Sequence, residues 1–573
     1  MFFRQSLMVL PIWLSGCVAT TVNQSVEAPD TAVVESVNEV ITEAKPLSAD
    51  FVYEYLLSDI AARRGFADES VQALVRLAQS SRDTDIVRRA FRLAMHGKYG
   101  DIALQMAELL GELEPTSMRA VFSRVQALML LERSEEGIAL ISQLLSDPSV
   151  DVARVFNNAS EVFARQPEPG KYIEAFKQLS SQFPDNSEAF YALAYLASRG
   201  ANMPVLKQSI NRALQLRPDW QEAALVNFSY LVNQDTWRNV KKFVDGFLAR
   251  NPDADDLRGR FGRYMVGQRQ MSEAQKHFSW LIRKNPQNSE ALLAGAIVRM
   301  QLQQYPVARR YLQRYLKIKP TDDQARLYLG QVEMDSEDYI AAVDWFSRIR
   351  DERYYMDAQI RIGTAIREID GIDAALNHLY ELIPANSEEE VQIYLAQERF
   401  LRDSGRFDEA KRLMDAAIQE LPDNSELHYS RALLAAELNL LELHESDIRR
   451  VIELDPDNAH AYNALGYTLA DQTPRVEEAF KLITHALSLA PDDPFILDSM
   501  GWVNFRLGRL KEAINYLRRA ISIRQDAEIA AHLGEVLWVD GQQNEAEEVW
   551  RKSIDKYPQN QTLKSTLKRL KQQ

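Results

Sequence analysis

Apolar residues recur along most of this chain at the three- and four-residue spacings of amphipathic helices. The pattern runs from residue 47 almost to the C-terminus, and residues 55–65 and 85–94 each fit one short helix. Prolines end many of these apolar runs, because a proline has a fixed φ and no N–H to continue a helix. The sequence therefore predicts a long series of short helices.

The prolines follow a period of 34 residues. Five are separated by 34 residues each time, and two more keep the same phase after a gap of 102 residues: Pro184, Pro218, Pro252, Pro286, Pro320, Pro422 and Pro456. Asparagine and serine follow several of them, as in Asn186-Ser187 and Asn288-Ser289. These side chains can cap the next helix by accepting hydrogen bonds from its first free N–H groups.

Small residues recur at fixed places within the repeat. Small side chains let two antiparallel helices pack closely. The positions predicted to do this are Gly262, Gly330, Gly466, Gly501, Gly534, Ala513 and Ala546. A 34-residue unit with this pattern resembles the tetratricopeptide repeat (TPR), a helix–turn–helix unit. The resemblance implies an all-α fold, an α-solenoid (TPR superhelix) of about fourteen helix–turn–helix units.

The repeat is uneven along the chain. Residues 47–150 are predicted to be N-terminal degenerate helical repeats, 151–560 the TPR solenoid, and 561–573 a C-terminal capping helix. The unit that starts near Gln221 has Phe228 where glycine is expected and Val240 where alanine is expected. We expect this unit to be looser than its neighbours.

The first 46 residues precede the helical repeats and are predicted to form a signal peptide and a tether. The apolar run 7–14 is too short to span a bilayer and fits a cleaved signal peptide, residues 1–16. The sequence Leu14-Ser15-Gly16-Cys17 resembles the bacterial lipobox, and Cys17 is the only cysteine. The resemblance implies lipidation of Cys17, and Val18 in place of aspartate implies an outer-membrane lipoprotein that faces the periplasm. Residues 17–46 are predicted to form the lipidated cysteine and a disordered acidic tether.

The net charge and the absence of catalytic motifs in the sequence argue against several classes of function. The chain has 67 basic and 82 acidic residues, a net charge of −15, so nucleic acid is a poor partner. Its sequence contains no His-Glu-x-x-His, no Gly-x-Ser-x-Gly and no phosphate-binding glycine-rich loop, and the eight histidines are scattered. We therefore predict a protein that is not an enzyme, with no catalytic residue, metal site, cofactor or small-molecule substrate.

Stacked helix pairs leave a surface lined by the first helix of each pair, which suits polypeptide partners. The candidates for this surface are Asn463, Tyr467, Asp498, Trp502, Phe505, Arg506, Glu535 and Trp538. Trp502, Phe505 and Trp538 also fit a packing role between helices. We expect the charged and amide side chains of the set to be exposed.

Three segments resemble a more specific family: NALGYTLAD (463–471), ILDSMGWV (496–503) and IAAHLGEVLW (529–538). They are similar to proteobacterial outer-membrane TPR lipoproteins that include the binding partner of a periplasmic carboxyl-terminal processing protease. The resemblance implies a protein-binding adaptor that presents substrates such as peptidoglycan hydrolases to the protease. A second function stays open: a TPR lipoprotein that assists assembly of a secretin, pilus or exopolysaccharide export system.

Overall fold

The computed structural model describes residues 48–571 of the chain. The predicted signal peptide, Cys17 and the tether up to residue 46 lie outside the described residues, so these expectations stay predictions. The described range contains 31 α-helices, one short 3-10 helix and no strand, which confirms the predicted all-α solenoid. None of the helices in this range combines the length and apolar character needed to cross a bilayer.

The chain divides into two compact units between Leu302 and Gln303. The N-terminal unit contains the 3-10 helix Pro169–Tyr172 and α1 (Ala49–Arg63), α2 (Ala67–Ser81), α3 (Thr84–His96), α4 (Gly100–Leu113), α5 (Met118–Leu130), α6 (Ser134–Leu145), α7 (Val152–Ala164), α8 (Ile173–Ser181), α9 (Ser187–Arg199), α10 (Met203–Leu216), α11 (Gln221–Gln234), α12 (Trp237–Arg250), α13 (Asp255–Gly267), α14 (Met271–Lys284) and α15 (Ser289–Gln301).

The C-terminal unit contains α16 (Tyr305–Ile318), α17 (Asp323–Asp335), α18 (Tyr339–Phe346), α19 (Glu352–Asp370), α20 (Ile372–Tyr380), α21 (Ser387–Asp403), α22 (Phe407–Glu420), α23 (Ser425–Glu437), α24 (Leu441–Leu454), α25 (Ala459–Gln472), α26 (Val476–Leu489), α27 (Pro494–Arg506), α28 (Leu510–Ile523), α29 (Ala527–Val539), α30 (Gln543–Lys556) and α31 (Gln561–Lys571).

Prolines and asparagines set the ends of the helices as the sequence predicts. Pro218 lies two residues after the end of α10, and Pro422 lies two residues after the end of α22. The side chain of Asn186 accepts a hydrogen bond from the N–H of Ala189 at 2.8 Å and caps α9. Asn288 caps α15 in the same way, at 2.9 Å. The period of the prolines is therefore the period of the helix pairs.

The repeated glycines lie where the two helices of a pair come closest. A Cβ atom on Gly501 of α27 would lie 2.5 Å from Cγ of Leu517 on α28, closer than atoms can pack. The other glycines face large side chains in the same way: Gly262 faces Phe278, Gly330 faces Phe346, Gly466 faces Ile483, and Gly534 faces Trp550. Ala513 and Ala546 are fully buried on the second helices α28 and α30.

The core of each unit runs between the helices of each pair and between neighbouring pairs. In the N-terminal unit, Phe156, Phe163 and Phe176 are fully buried in one cluster that continues from α5 to α11. In the C-terminal unit, Trp550 is buried beside α28 and α29. This packing uses both helices of a pair, and it buries most residues of α27 and α29, the first helices of the last two pairs.

Candidate protein-binding surfaces

Side chains from α25, α27 and α29 meet in the C-terminal unit and form a group that we call the C-terminal aromatic cluster: Tyr467, Asp498, Trp502, Phe505 and His532. The imidazole Nδ1 of His532 lies 2.9 Å from Oδ2 of Asp498. The ring of Trp502 stacks on His532 with 4.4 Å between the ring centroids and 27° between the planes. Tyr467 and Phe505 approach this pair from α25 and α27, at 6.1 Å from His532 and 5.2 Å from Trp502.

Hydrogen bonds join the helices around this cluster. The indole Nε1 of Trp502 donates to Oδ1 of Asp471 at 3.2 Å, and Nη1 of Arg506 donates to the carbonyl oxygen of Asp471 at 2.8 Å. At the last helix, Nη2 of Arg569 donates to Oε2 of Glu535 at 2.5 Å. These contacts link α25 to α27 and α29 to α31.

The local charges shift two pKa values. Burial favours the neutral form of His532, but the negative charges of Asp498, Glu528 and Glu535 outweigh it and raise the pKa of the imidazole above 6.5. Burial and the neighbouring carboxylates raise the pKa of the Tyr467 hydroxyl, which stays protonated at neutral pH and can donate a hydrogen bond.

The structure divides the predicted surface residues into two groups. Our expectation that the charged members are exposed is wrong for Asp498 and Glu535, which are 7% and 5% exposed. Each of these carboxylates contacts a cationic or protonatable side chain, His532 or Arg569, and this contact offsets the cost of removing the carboxylate from water. Trp502 is also buried, as its packing role requires.

The remaining predicted residues keep some exposed surface. Arg506 is exposed, whereas Asn463, Tyr467, Phe505 and Trp538 are half-buried. The Oδ1 atom of Asn463 is itself buried and has no hydrogen-bond partner among the described residues. Sequence reasoning missed His532, although its 34-residue distance from Asp498 matches the repeat period. The 34-residue spacing could have indicated from the sequence that His532 lies beside Asp498.

A second surface lies in the N-terminal unit, where the sequence indicated no site. A groove of about 630 Å³ is formed by α3, α5 and α7, and we call it the N-terminal groove. Its lining residues are Phe91, Arg92, Met95, Met118, Arg119, Phe122, Gln126, Arg154, Asn158, Glu161, Val162, Arg165 and Gln166. Two buried phenylalanines and two half-buried methionines form its apolar floor, and its four arginines are exposed.

The arginines give the N-terminal groove a positive charge. Arg92, Arg119 and Arg154 are exposed, and within residues 48–571 none of them forms an ion pair with a carboxylate. Only Arg165 is paired, to Glu161 at 3.6 Å. An apolar floor with unpaired cations at its edge is complementary to a polypeptide segment that carries both apolar and acidic side chains.

One group of potential metal ligands occurs among the described residues. Asp245, Glu273 and His277 place one possible ligand atom each within 4.8 Å of the others. Glu273 and His277 are four residues apart on α14, but Asp245 lies on α12, 28 residues before Glu273. Sequence spacing alone therefore gives little sign of this group.

Comparisons with known proteins identify the repeat. A tetratricopeptide repeat model matches residues 260–323, 293–354, 399–443 and 445–494, and a second TPR model matches residues 496–526. The chain is 29% identical over 544 residues to a TPR repeat-containing protein of Pseudomonas aeruginosa, covering 92% of this chain and 90% of that protein. A stretch of 76 residues is 33% identical to bacteriophage adsorption protein A of Escherichia coli, covering 13% of this chain and 8% of that protein.

The solved structures that this chain matches include a thermophilic TPR protein of Thermus thermophilus. It is 22% identical with a TM-score of 0.29, over 32% of this chain and 99% of that one. The APC/C hetero-tetramer Cut9–Hcn1 is 13% identical with a TM-score of 0.33, over 91% of this chain and 96% of that one. The family models confirm the predicted TPR repeats in the matched segments between residues 260 and 526.

Proposed function

We propose that this chain is a non-enzymatic scaffold that binds other polypeptides, and that a lipid on Cys17 anchors it to the outer membrane, facing the periplasm. The observation that carries the binding role is the N-terminal groove, which has apolar lining residues and three exposed arginines that form no ion pair with a carboxylate of the described residues. The TPR repeats support the same role, because stacked helix pairs present extended surfaces to partners. The anchor is supported by the lipobox-like sequence that ends at Cys17.

The proposed partner is a periplasmic carboxyl-terminal processing protease, together with its protein substrates such as peptidoglycan hydrolases. This choice is supported by the resemblance of residues 463–471, 496–503 and 529–538 to the lipoprotein adaptors of such proteases. The adaptor increases proteolysis by tethering protease and substrate on one chain, which raises their effective concentration to about the millimolar range. No chemical step is required of the scaffold itself.

The two surfaces differ in the segments that they suit. The N-terminal groove offers guanidinium groups and an apolar floor, which fit an acidic and partly apolar segment. The C-terminal aromatic cluster offers half-buried aromatic edges beside the exposed Arg506. Two different surfaces on one chain allow two polypeptides to bind at once, as tethering requires.

Affinity purification from membranes tests this function. The full chain with a C-terminal tag is extracted in mild detergent, and the co-purified proteins are identified by mass spectrometry. A variant that carries Arg119→Glu and Arg154→Glu reverses the charge of the groove, and Arg260→Glu, exposed on α13, is the matched control. We expect the processing protease to co-purify with the natural chain and with the control variant. Much less of the protease should co-purify with the groove variant.

Other outcomes of the purification distinguish the alternatives. A secretin, pilus component or export porin in place of the protease would favour the assembly function. Equal recovery of every partner by the natural chain and the groove variant would contradict a binding role for the N-terminal groove.

A further inference from the structure

Helices α12 and α14 bring two carboxylates and an imidazole together in the N-terminal unit. Asp245 projects from α12, and Glu273 and His277 project from α14. Their potential ligand atoms lie within 4.8 Å of one another. Glu273 and His277 share a face of α14 because residues four apart on a helix are neighbours. The three side chains therefore converge without any change of the backbone.

His277 is unusual among the polar side chains of this unit. Its side chain is only 7% exposed, and neither ring nitrogen has a hydrogen-bond partner among the described residues. Its Nε2 atom lies 3.7 Å from Oε1 of Glu273, too far for a hydrogen bond. The other contact of the imidazole is apolar, with the ring of Phe261 edge-to-face at 4.9 Å between centroids. A buried polar group without a partner is rare in proteins and requires an explanation.

The protonation state of His277 suits metal binding. Burial, with a further contribution from the positive charge of Arg258, lowers the pKa of the imidazole to about 4. The ring is therefore neutral at neutral pH and retains a lone pair on one nitrogen. A neutral imidazole nitrogen is the form that coordinates metal ions.

We propose that Asp245, Glu273 and His277 form a binding site for a divalent transition-metal ion, and that Zn²⁺ is the ion that these ligands fit best. One imidazole nitrogen and two carboxylate oxygens are ligands that Zn²⁺ accepts, whereas Mg²⁺ and Ca²⁺ prefer oxygen alone. Three protein ligands leave room for a water molecule in a four-coordinate site.

The bound ion would join two neighbouring helix pairs. It links α12, the second helix of the pair α11–α12, to α14 of the next pair. The pair α11–α12 has Phe228 and Val240 in place of the usual small residues. A metal link at this place would stabilise the contact of an atypical repeat with its neighbour.

Lys241 competes for the same carboxylates. Its Nζ atom lies 2.5 Å from Oδ2 of Asp245 and 3.1 Å from Oε1 of Glu273. Lys276 contacts the other oxygen of Glu273 at 3.0 Å. Lysine side chains are flexible, so the ammonium group of Lys241 can move towards solvent when a metal ion takes its place. The site should therefore bind metal more tightly once Lys241 loses its charge.

Equilibrium dialysis with Zn²⁺ tests the site. The full chain, purified in detergent and treated with a chelator, is dialysed against ZnCl₂ and its metal content is measured. We expect saturable binding of Zn²⁺ that His277→Gln and Glu273→Gln each weaken by about tenfold or more. Lys241→Gln should tighten binding, and His460→Gln, which removes an exposed imidazole of α25, should leave it unchanged.

Thermal melting supplies the second measurement. Zn²⁺ should raise the melting temperature of the natural chain and of the Lys241→Gln variant, but not that of His277→Gln. If His277→Gln fails to fold, the opposite effects of Glu273→Gln and Lys241→Gln still test the site. The absence of saturable binding, or affinity that none of these three substitutions changes, would overturn the proposal.

Discussion

The imidazole of His532 on α29 contacts the carboxylate of Asp498 on α27, with 2.9 Å between Nδ1 and Oδ2, in the interior of the C-terminal unit. The two residues are 34 positions apart, so they occupy the same place in successive repeats. Trp502 covers the imidazole from one side. Part of the contact between two neighbouring helix pairs is therefore a buried hydrogen bond between an imidazole and a carboxylate.

Removing the carboxylate of this pair should destabilise the C-terminal unit. Asp498→Ala leaves His532 buried without its partner, and breaking a buried ion pair in this way costs about 3 kcal/mol. We expect a lower melting temperature, whereas Glu512→Ala, which removes an exposed carboxylate of α28, should have little effect. Identical melting of the natural chain and Asp498→Ala would show that the pair contributes nothing to stability.

The same pair should make stability depend on pH. Burial beside Tyr467 and Trp502 lowers the pKa of His532, but the carboxylates of Asp498, Glu528 and Glu535 outweigh this effect and hold the folded-state pKa above 6.5. A raised pKa gives stability that is fully present below 6.5 and is lost as pH rises through the folded-state value. The melting difference between the natural chain and His532→Gln should shrink as pH rises from below to well above 6.5. A difference that stays constant with pH would contradict this assignment.

The glycines at the close helix contacts should not tolerate large side chains. Gly501→Leu and Gly534→Leu place atoms where Leu517 and Trp550 already lie, and overpacking of this kind costs about 1–3 kcal/mol. Gly246→Ala on α12 is the control, because a Cβ there meets no atom within 4 Å and alanine favours the helix. Thermal melting should show a loss for both leucine variants and no loss for the control. Unaltered melting of both would mean that the repeat register is wrong.

Lipidation is tested at Cys17. Cys17→Ser removes the only thiol of the chain, so no acyl group can be attached at the lipobox-like sequence. We expect the variant to lose its recovery in the membrane fraction, because acyl chains supply the membrane affinity. Fractionation followed by immunoblotting checks this, with Ser25→Ala, which lies outside the lipobox-like sequence, as the control. Unchanged membrane recovery of Cys17→Ser would refute the lipid anchor.

Salt should weaken binding at the N-terminal groove. The guanidinium groups of Arg92, Arg119 and Arg154 are exposed, so added salt screens their attraction to an acidic partner. Affinity for the partner should fall as salt concentration rises, and the variant with Arg119→Glu and Arg154→Glu should show a weaker dependence on salt. Binding titrations at several salt concentrations measure this slope. Equal slopes for the natural chain and the variant would place the contact elsewhere.

The sequence predicts the repeat well because the period depends on local chemistry. Proline ends a helix wherever it occurs, and Asn186 can cap a helix with its own side chain. The burial of Asp498 and Glu535 could not be predicted in this way. It depends on whether a cationic partner on another helix reaches the carboxylate, and Arg569 is 34 residues from Glu535.

The N-terminal groove could not be predicted from the sequence for a related reason. The regular series of prolines begins at Pro184, after α3, α5 and α7. The 34-residue period therefore could not be used to predict which side chains of these three helices share a face. Arg92, Arg119 and Arg154 have no regular spacing and became neighbours only through the packing of these helices. The N-terminal groove, on which the proposed function rests, is therefore formed by the tertiary structure and not by a local sequence pattern.

Direct binding between the purified full chain and the purified processing protease tests the central claim, that this solenoid holds other polypeptides. We predict saturable binding with a dissociation constant of about 1 μM or lower, weakened about tenfold or more in the variant with Arg119→Glu and Arg154→Glu. The exposed control Arg260→Glu should bind like the natural chain. Failure of the natural chain to bind the protease, or equal affinity for the natural chain and the groove variant, would contradict this account.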